Sequence, residues 1–210
     1  MNEDFSVLKN RLREFQATVK NEIIPKMVYD NKFGVHPEGL ALYNASKKLC
    51  FVMMPKNAST TFSLSTMFFT QRSKWRYCNF LKESNLSVDK FIVILRDPID
   101  RFISATNMFL SSTATMLDTV IKHDQLYTED AHYTPQYKFI QRVPKDKIDF
   151  FYFNNTVINS ISDYYDLELD TQHHHNSSKR IITAVDDQLI KTLYNDDYKL
   201  ISNIKFVNMP

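Results

Sequence analysis

Lys48-Leu49-Cys50-Phe51-Val52-Met53-Met54-Pro55-Lys56-Asn57-Ala58-Ser59-Thr60-Thr61 is the stretch on which the fold turns. Its apolar first half has the length of a buried strand, and the residues from Thr61 to Phe69 read as a helix, so the middle is a strand-to-helix loop. Pro55 ends the strand, and Asn57, Ser59 and Thr60 are residue types that bond nearby backbone and favour helix N-caps. Such a junction presents free N–H groups and the positive end of a helix dipole to an anion, and Lys56 adds a cation. An ordinary capped turn with a surface lysine accounts for this segment equally well by itself. A nucleoside triphosphate loop fits poorly, because no glycine is present and the lysine precedes the donors.

A second segment has the same build. Phe91-Ile92-Val93-Ile94-Leu95 is short and β-branched, which predicts a central parallel strand. Arg96-Asp97-Pro98 follows, with Pro98 suited to the first turn of a helix whose face would hold Ile99, Phe102, Ile103 and Thr106. Arg96 can grip a phosphate bidentately, and Ser104 lies two turns along. A surface pair of Arg96 with Asp97 or Asp100 is the structural alternative. Strand and helix patterns alternate from 49 to 166, which predicts an α/β fold with a parallel sheet flanked by helices and ligands at the carboxyl ends of its strands.

Together the two segments, PKNASTT and RDPIDRFIS, resemble the sulfotransferases that use 3′-phosphoadenosine 5′-phosphosulfate (PAPS), whose loops read PK-x-x-x-T-T and R-D-P-x-x-R-x-x-S. The resemblance implies a three-layer, P-loop-like sheet. It implies that Lys56, Asn57, Ala58, Ser59, Thr60 and Thr61 hold the 5′-phosphosulfate, with Lys56 near the bridging oxygen, and that Arg96 and Ser104 hold the 3′-phosphate. His132-Tyr133-Thr134-Pro135-Gln136-Tyr137 is similar to the H-W-x-P-Q segment of the carbohydrate-sulfating branch, with Tyr for Trp. Residues 147–153 and 193–200 resemble that branch's next strand and its closing helix. The implied acceptor is a hydroxyl, in this branch a saccharide, and no metal is required. Arg180, in a basic loop after His173-His174-His175, is a further candidate for the 3′-phosphate.

The chain also departs from the family pattern. Asn154 and Asn155 stand where branch members commonly carry Glu, and no His occurs between Thr61 and Arg96. Imidazole titrates near neutrality, which makes His132 the preferred general base, with Glu83 in reserve and a structural histidine as the alternative. Two other functions stay open. A small-molecule kinase would need a metal-binding acid, for which Asp97 is the obvious candidate, and a nucleotide- or glycan-binding protein would keep the loops without a base.

Composition is compatible with one catalytic domain over 41–210 behind an N-terminal helical extension at 1–40. The 210 residues are 43% hydrophobic, enough for a sizeable core, and a net charge of +2 argues against nucleic acid as a partner. Two cysteines, Cys50 predicted buried and Cys78 among polar neighbours, fit a reducing compartment better than a disulfide framework. No stretch has the apolar length of a signal or a membrane span, from which a cytoplasmic enzyme or an excised domain is expected. Phe5, Leu8, Leu12, Phe15, Val19 and Ile23 form a stripe that packs on its own domain or pairs with a second copy as a homodimer. A helix carrying Met116, Leu117, Val120 and Ile121 is expected on the acceptor side. Consecutive histidines 173–175 read as a polar loop, and Trp75, Tyr77, Tyr133 and Tyr137 either stack on sugars or fill the core.

Overall fold

The computed structural model describes residues 39–67, 75–113, 131–169 and 187–209. They belong to two compact units. One comprises the described residues up to Pro98, those from Pro135 to 169 and those from Tyr194 onward; the other comprises 99–113, 131–134 and 187–193.

The first unit is built on a five-stranded sheet. Its strands are β1 (Leu40–Asn44), β2 (Leu49–Val52), β3 (Trp75–Asn79), β4 (Lys90–Leu95) and β5 (Ile148–Tyr152), in the spatial order β3-β1-β2-β4-β5. β2, β4 and β5 run parallel, as the apolar runs predict, but β1 pairs antiparallel with both β2 and β3. The sheet is therefore mixed, not wholly parallel. A turn at 45–48 makes the reversal: Asn44 Oδ1 accepts from Ser46 Oγ at 2.8 Å and from the Lys47 N–H at 3.0 Å, and Lys48 takes a left-handed φ of 51°.

Alternation along the strands fills both faces, which is what makes the unit three layers. Cys50, Val52, Phe91, Val93 and Leu95 bury one face against Phe139, Ile140 and Val143, with Leu200, Ile201, Ile204 and Phe206 packed on the same cluster. Leu42, Leu49, Phe51, Ile92, Ile94 and Phe151 bury the other against Phe62, Val157, Ile158 and Ile161. Phe62 belongs to α1 (Ser59–Met67) and stacks on Phe51 with ring centroids 4.0 Å apart. In chain order the remaining helices are α2 (Pro98–Thr113), α3 (Gln136–Ile140), α4 (Val157–Tyr165), α5 (Asp187–Leu193) and α6 (Asn195–Asn203). The C-terminal tail closes the β5 edge: the Val207 N–H donates to Phe150 O at 2.8 Å, and the Asn208 amide bonds both Tyr152 N and Tyr152 O, at 2.7 and 2.8 Å.

Some expectations need correction. Cys78 is buried, not set among polar groups. It lies on the face of Cys50, whose thiol is pushed far up by the Cys78 thiol beside it and by burial. α2 does begin at Pro98, and in the second unit its Phe102, Ala105 and Asn107 are buried, but so is Arg101, which the apolar stripe left out. Tyr133 is core in that unit, 1% exposed and 5.2 Å from Phe102. The N-terminal stripe, Met116 to Ile121, the histidines at 173–175 and Arg180 lie outside the described residues.

Gly39 opens β1 with φ 85°, and a Cβ there would meet Asn79 Oδ1 at 2.6 Å and Leu81 Cγ at 2.8 Å. Conformation and space both demand glycine. We expect Gly39→Ala to cost about 1–3 kcal/mol in denaturant unfolding, with the m-value unchanged.

Candidate anion-binding site

The carboxyl ends of β2 and β4, neighbours in the sheet, carry the two segments singled out in the sequence. After β2 the chain enters a tight turn in which Lys56 (φ 68°) and Ala58 (φ 59°) are both left-handed, on either side of Asn57. Left-handed residues alternating with ordinary ones turn successive N–H groups toward one concavity, the backbone arrangement that suits an anion. Two non-glycine residues held this way store strain, of order 1 kcal/mol or more each.

Helix α1 then starts at Ser59. The Phe62 N–H donates to Ala58 O at 2.8 Å, so Ala58 occupies the cap position that the sequence suggested for Asn57, Ser59 or Thr60. Alanine has no oxygen to offer the first-turn N–H groups of Ser59, Thr60 and Thr61. Thr60 is exposed, whereas Ser59, Thr61 and Lys56 are half-buried. Ser63 and Ser65 are committed within the helix, donating to Ser59 O and Thr61 O at 2.8 Å.

Arg96 is fixed beside this turn. Its Nη1 donates to Lys56 O at 3.2 Å, and its guanidinium lies over the Phe153 ring, 4.4 Å from the centroid. The two segments thus meet through a direct hydrogen bond.

Asn57 and Gln136 join them from behind. Asn57, 1% exposed, donates through Nδ2 to Ile94 O at 2.8 Å and to Gln136 Oε1 at 2.6 Å. Gln136 Oε1 also accepts the Arg96 N–H at 2.9 Å, and Gln136 Nε2 donates to Arg96 O at 2.8 Å. Asp197 accepts the Gln136 and Tyr137 N–H groups at 2.8 and 2.9 Å and so caps α3. Gln136 and Asp197 are functional candidates that reading by residue type passed over. Their signal was present only as the Gln of the H-Y-x-P-Q segment and the Asp196-Asp197 pair of the closing helix.

Ser104 and His132 belong to the second unit. His132 is half-buried in the turn at 131–134, whose ends are held by Arg101: Nη1 donates to Thr134 O at 2.8 Å and Nη2 to Ala131 O at 3.1 Å. The second arginine of RDPIDRFIS is therefore 2% exposed and shapes the His132 turn within its own unit.

Glu83 is engaged elsewhere. Its carboxylate accepts from Arg76 Nη2 at 2.7 Å and from the Asn79 N–H at 3.1 Å, and these bonds hold it below the usual carboxylate range. A lowered pKa makes it a weaker proton acceptor. Of the aromatic candidates, Trp75 packs edge-on against Phe62 with centroids 5.2 Å apart, Tyr77 is exposed and Tyr137 is half-buried. Among the described residues no three His, Cys, Asp or Glu side chains gather into a metal-holding group.

Because the Glu83 pKa is depressed in the folded state, its contribution to stability is complete above its ordinary value of 4.5 and is lost as pH falls through the folded value. We expect urea midpoints of wild type and Glu83→Gln to differ at pH 7 and to converge only once the pH has fallen through the depressed value of the folded state. Comparisons of the chain with protein-family models, with curated proteins and with solved structures find no match in any of the three.

Proposed function

We propose that the chain is a PAPS-dependent sulfotransferase with a P-loop-like core, acting on a hydroxyl acceptor of the saccharide class. The observation that carries the reading is the hydrogen bond from Arg96 Nη1 to Lys56 O at 3.2 Å. It brings the cation of the second motif against the backbone of the first, at the ends of adjacent parallel strands. An adenosine phosphorylated at both ends needs two such anion subsites side by side. The start of α1, with Ala58 at its cap position, and the left-handed Lys56 and Ala58 suit the 5′ end, and the Arg96 fork suits the 3′-phosphate.

The transfer is an in-line displacement at sulfur. The acceptor oxygen forms the new S–O bond, the bond from sulfur to the bridging phosphate oxygen breaks, and its electron pair leaves with adenosine 3′,5′-bisphosphate. Lys56 and the N–H groups of Ser59 to Thr61 would stabilise charge on that oxygen. His132 would take the acceptor proton, and Ser104 and Arg180 would add to the grip on the 3′-phosphate, roles that come from the sequence resemblance. Glu83 is a poor alternative base, since Arg76 and Asn79 already occupy its carboxylate.

Calorimetry separates this reading from a kinase: adenosine 3′,5′-bisphosphate should bind and ATP with Mg²⁺ should not, and preference for ATP would defeat the proposal. With labelled PAPS and an oligosaccharide panel, Lys56→Ala and His132→Ala should each lower turnover by about 10²–10⁴-fold. Nucleotide binding without transfer to any hydroxyl would make the chain a binding protein, and unchanged turnover in His132→Ala would remove that base.

A further inference from the structure

We propose that Gln136, held by Asp197, is a positioning residue that fixes the separation of the two anion loops, so that a nucleotide charged at both ends is gripped as one ligand. The inference rests on the nucleotide reading above and adds the part of the molecule that makes two subsites one site.

The argument begins with burial. Gln136 and Asp197 are both 0% exposed and Asn57 is 1% exposed, so each polar atom among them carries a heavy desolvation cost unless it is bonded. The bonds formed are directional. Ile94 O and Arg96 O can only accept, so the Asn57 and Gln136 NH₂ groups must face them, and that fixes which end of each amide is which. Gln136 Oε1 is then left to bridge the Asn57 side chain at 2.6 Å and the Arg96 N–H at 2.9 Å.

One amide therefore grips the backbone of Arg96 on both its N–H and its C=O, as a neighbouring strand would, while holding the residue between the left-handed Lys56 and Ala58. Asp197 immobilises the support by taking the Gln136 and Tyr137 N–H groups, at 2.8 and 2.9 Å, with Gln136 Nε2 a further 3.5 Å contact.

A bisphosphate exceeds a monophosphate in affinity only to the extent that the second subsite is already at the right distance when the first is filled. Gln136 supplies that distance. Without its amide each loop still has its own donors, and Arg96 Nη1 to Lys56 O and Asn57 Nδ2 to Ile94 O still join them, but the Arg96 backbone is no longer tied on its N–H and C=O to the group that holds Asn57. Removal should then spare the affinity for each single phosphate and erase the advantage of having two. A residue with a merely structural role would lower the melting temperature and leave that ratio where it was.

The test is calorimetric titration of the full chain with adenosine 3′,5′-bisphosphate, adenosine 5′-phosphate and adenosine 3′-phosphate. In wild type the bisphosphate should bind about 100-fold more tightly than the better monophosphate or more. In Gln136→Ala this advantage should shrink by about tenfold or more, while each monophosphate stays within about threefold of wild type. Gln136→Glu keeps the acceptor but, when ionised, loses the donor to Arg96 O, so it should move the ratio the same way; it carries the test if the alanine variant does not fold. An unchanged ratio in a folded variant, or monophosphate affinities that fall in step with the bisphosphate, overturns the positioning role alone. Failure of wild type to bind any of the three overturns the nucleotide reading and this inference with it.

Discussion

The carboxylate of Asp197 is the constraint from which the sheet unit's functional end is built. It is fully buried, and such a charge persists only where strong hydrogen bonds replace its hydration. The first N–H groups of α3 supply them, and in return the five-residue helix gains the cap that Pro135 cannot provide. Fixing α3 fixes Gln136, and Gln136 fixes the chain just past β4 and Asn57 just past β2. A single anion in the closing helix thereby controls the geometry of two loops more than a hundred residues earlier in the sequence.

The loop so held is strained, and its sequence explains why outside support is needed. The chain has only two glycines, neither of them in the turn after β2, so Lys56 and Ala58 occupy a backbone region where glycine would be cheaper. The Asn57 bonds to Ile94 O and Gln136 offset part of that cost. A glycine-rich loop would reach the same shape unaided but would also relax out of it. Lysine at a left-handed position keeps both the conformation and a cation at the loop.

The sequence made the central parallel strands, a helix after the β2 loop (read from Thr61, found from Ser59) and the helix start at Pro98 legible, because each is marked by apolar residues or by Pro98; the helix at Asn195–Asn203 was expected only from the family resemblance. The N-terminal pair of sheet partners was harder. β3 carries Arg76 and Tyr77 exposed on an edge and lacks the apolar density that marks a buried strand, whereas β1, apolar over Leu40 to Tyr43 and buried from Ala41 to Asn44, was passed over in the sequence. Their antiparallel pairing depends on the Asn44 turn and on Gly39, which are local features with no periodicity to reveal them. Lys56 and Arg96 were visible as cations at strand ends. Gln136 and Asp197 were not, because a buried amide and a buried carboxylate gain their meaning from partners far along the chain.

The two motif segments share an organisation: each crosses from one unit to the other. RDPIDRFIS begins in the sheet unit with Arg96 and continues into the other with Arg101 and Ser104, and the 132–137 segment begins in that other unit with His132 and ends in the sheet unit with Gln136. In the sheet unit Arg96 and Asn57 are held by the Gln136 amide, and Gln136 by the Asp197 carboxylate. In the other unit Arg101 donates to the carbonyls of Ala131 and Thr134, shaping the turn around His132. The Arg96 and Asn57 loops and the His132 turn are thus each held by contacts within their own unit. Removing the Gln136 amide strips bonds from the first, and removing the Arg101 guanidinium strips them from the second, so each substitution acts first within one unit.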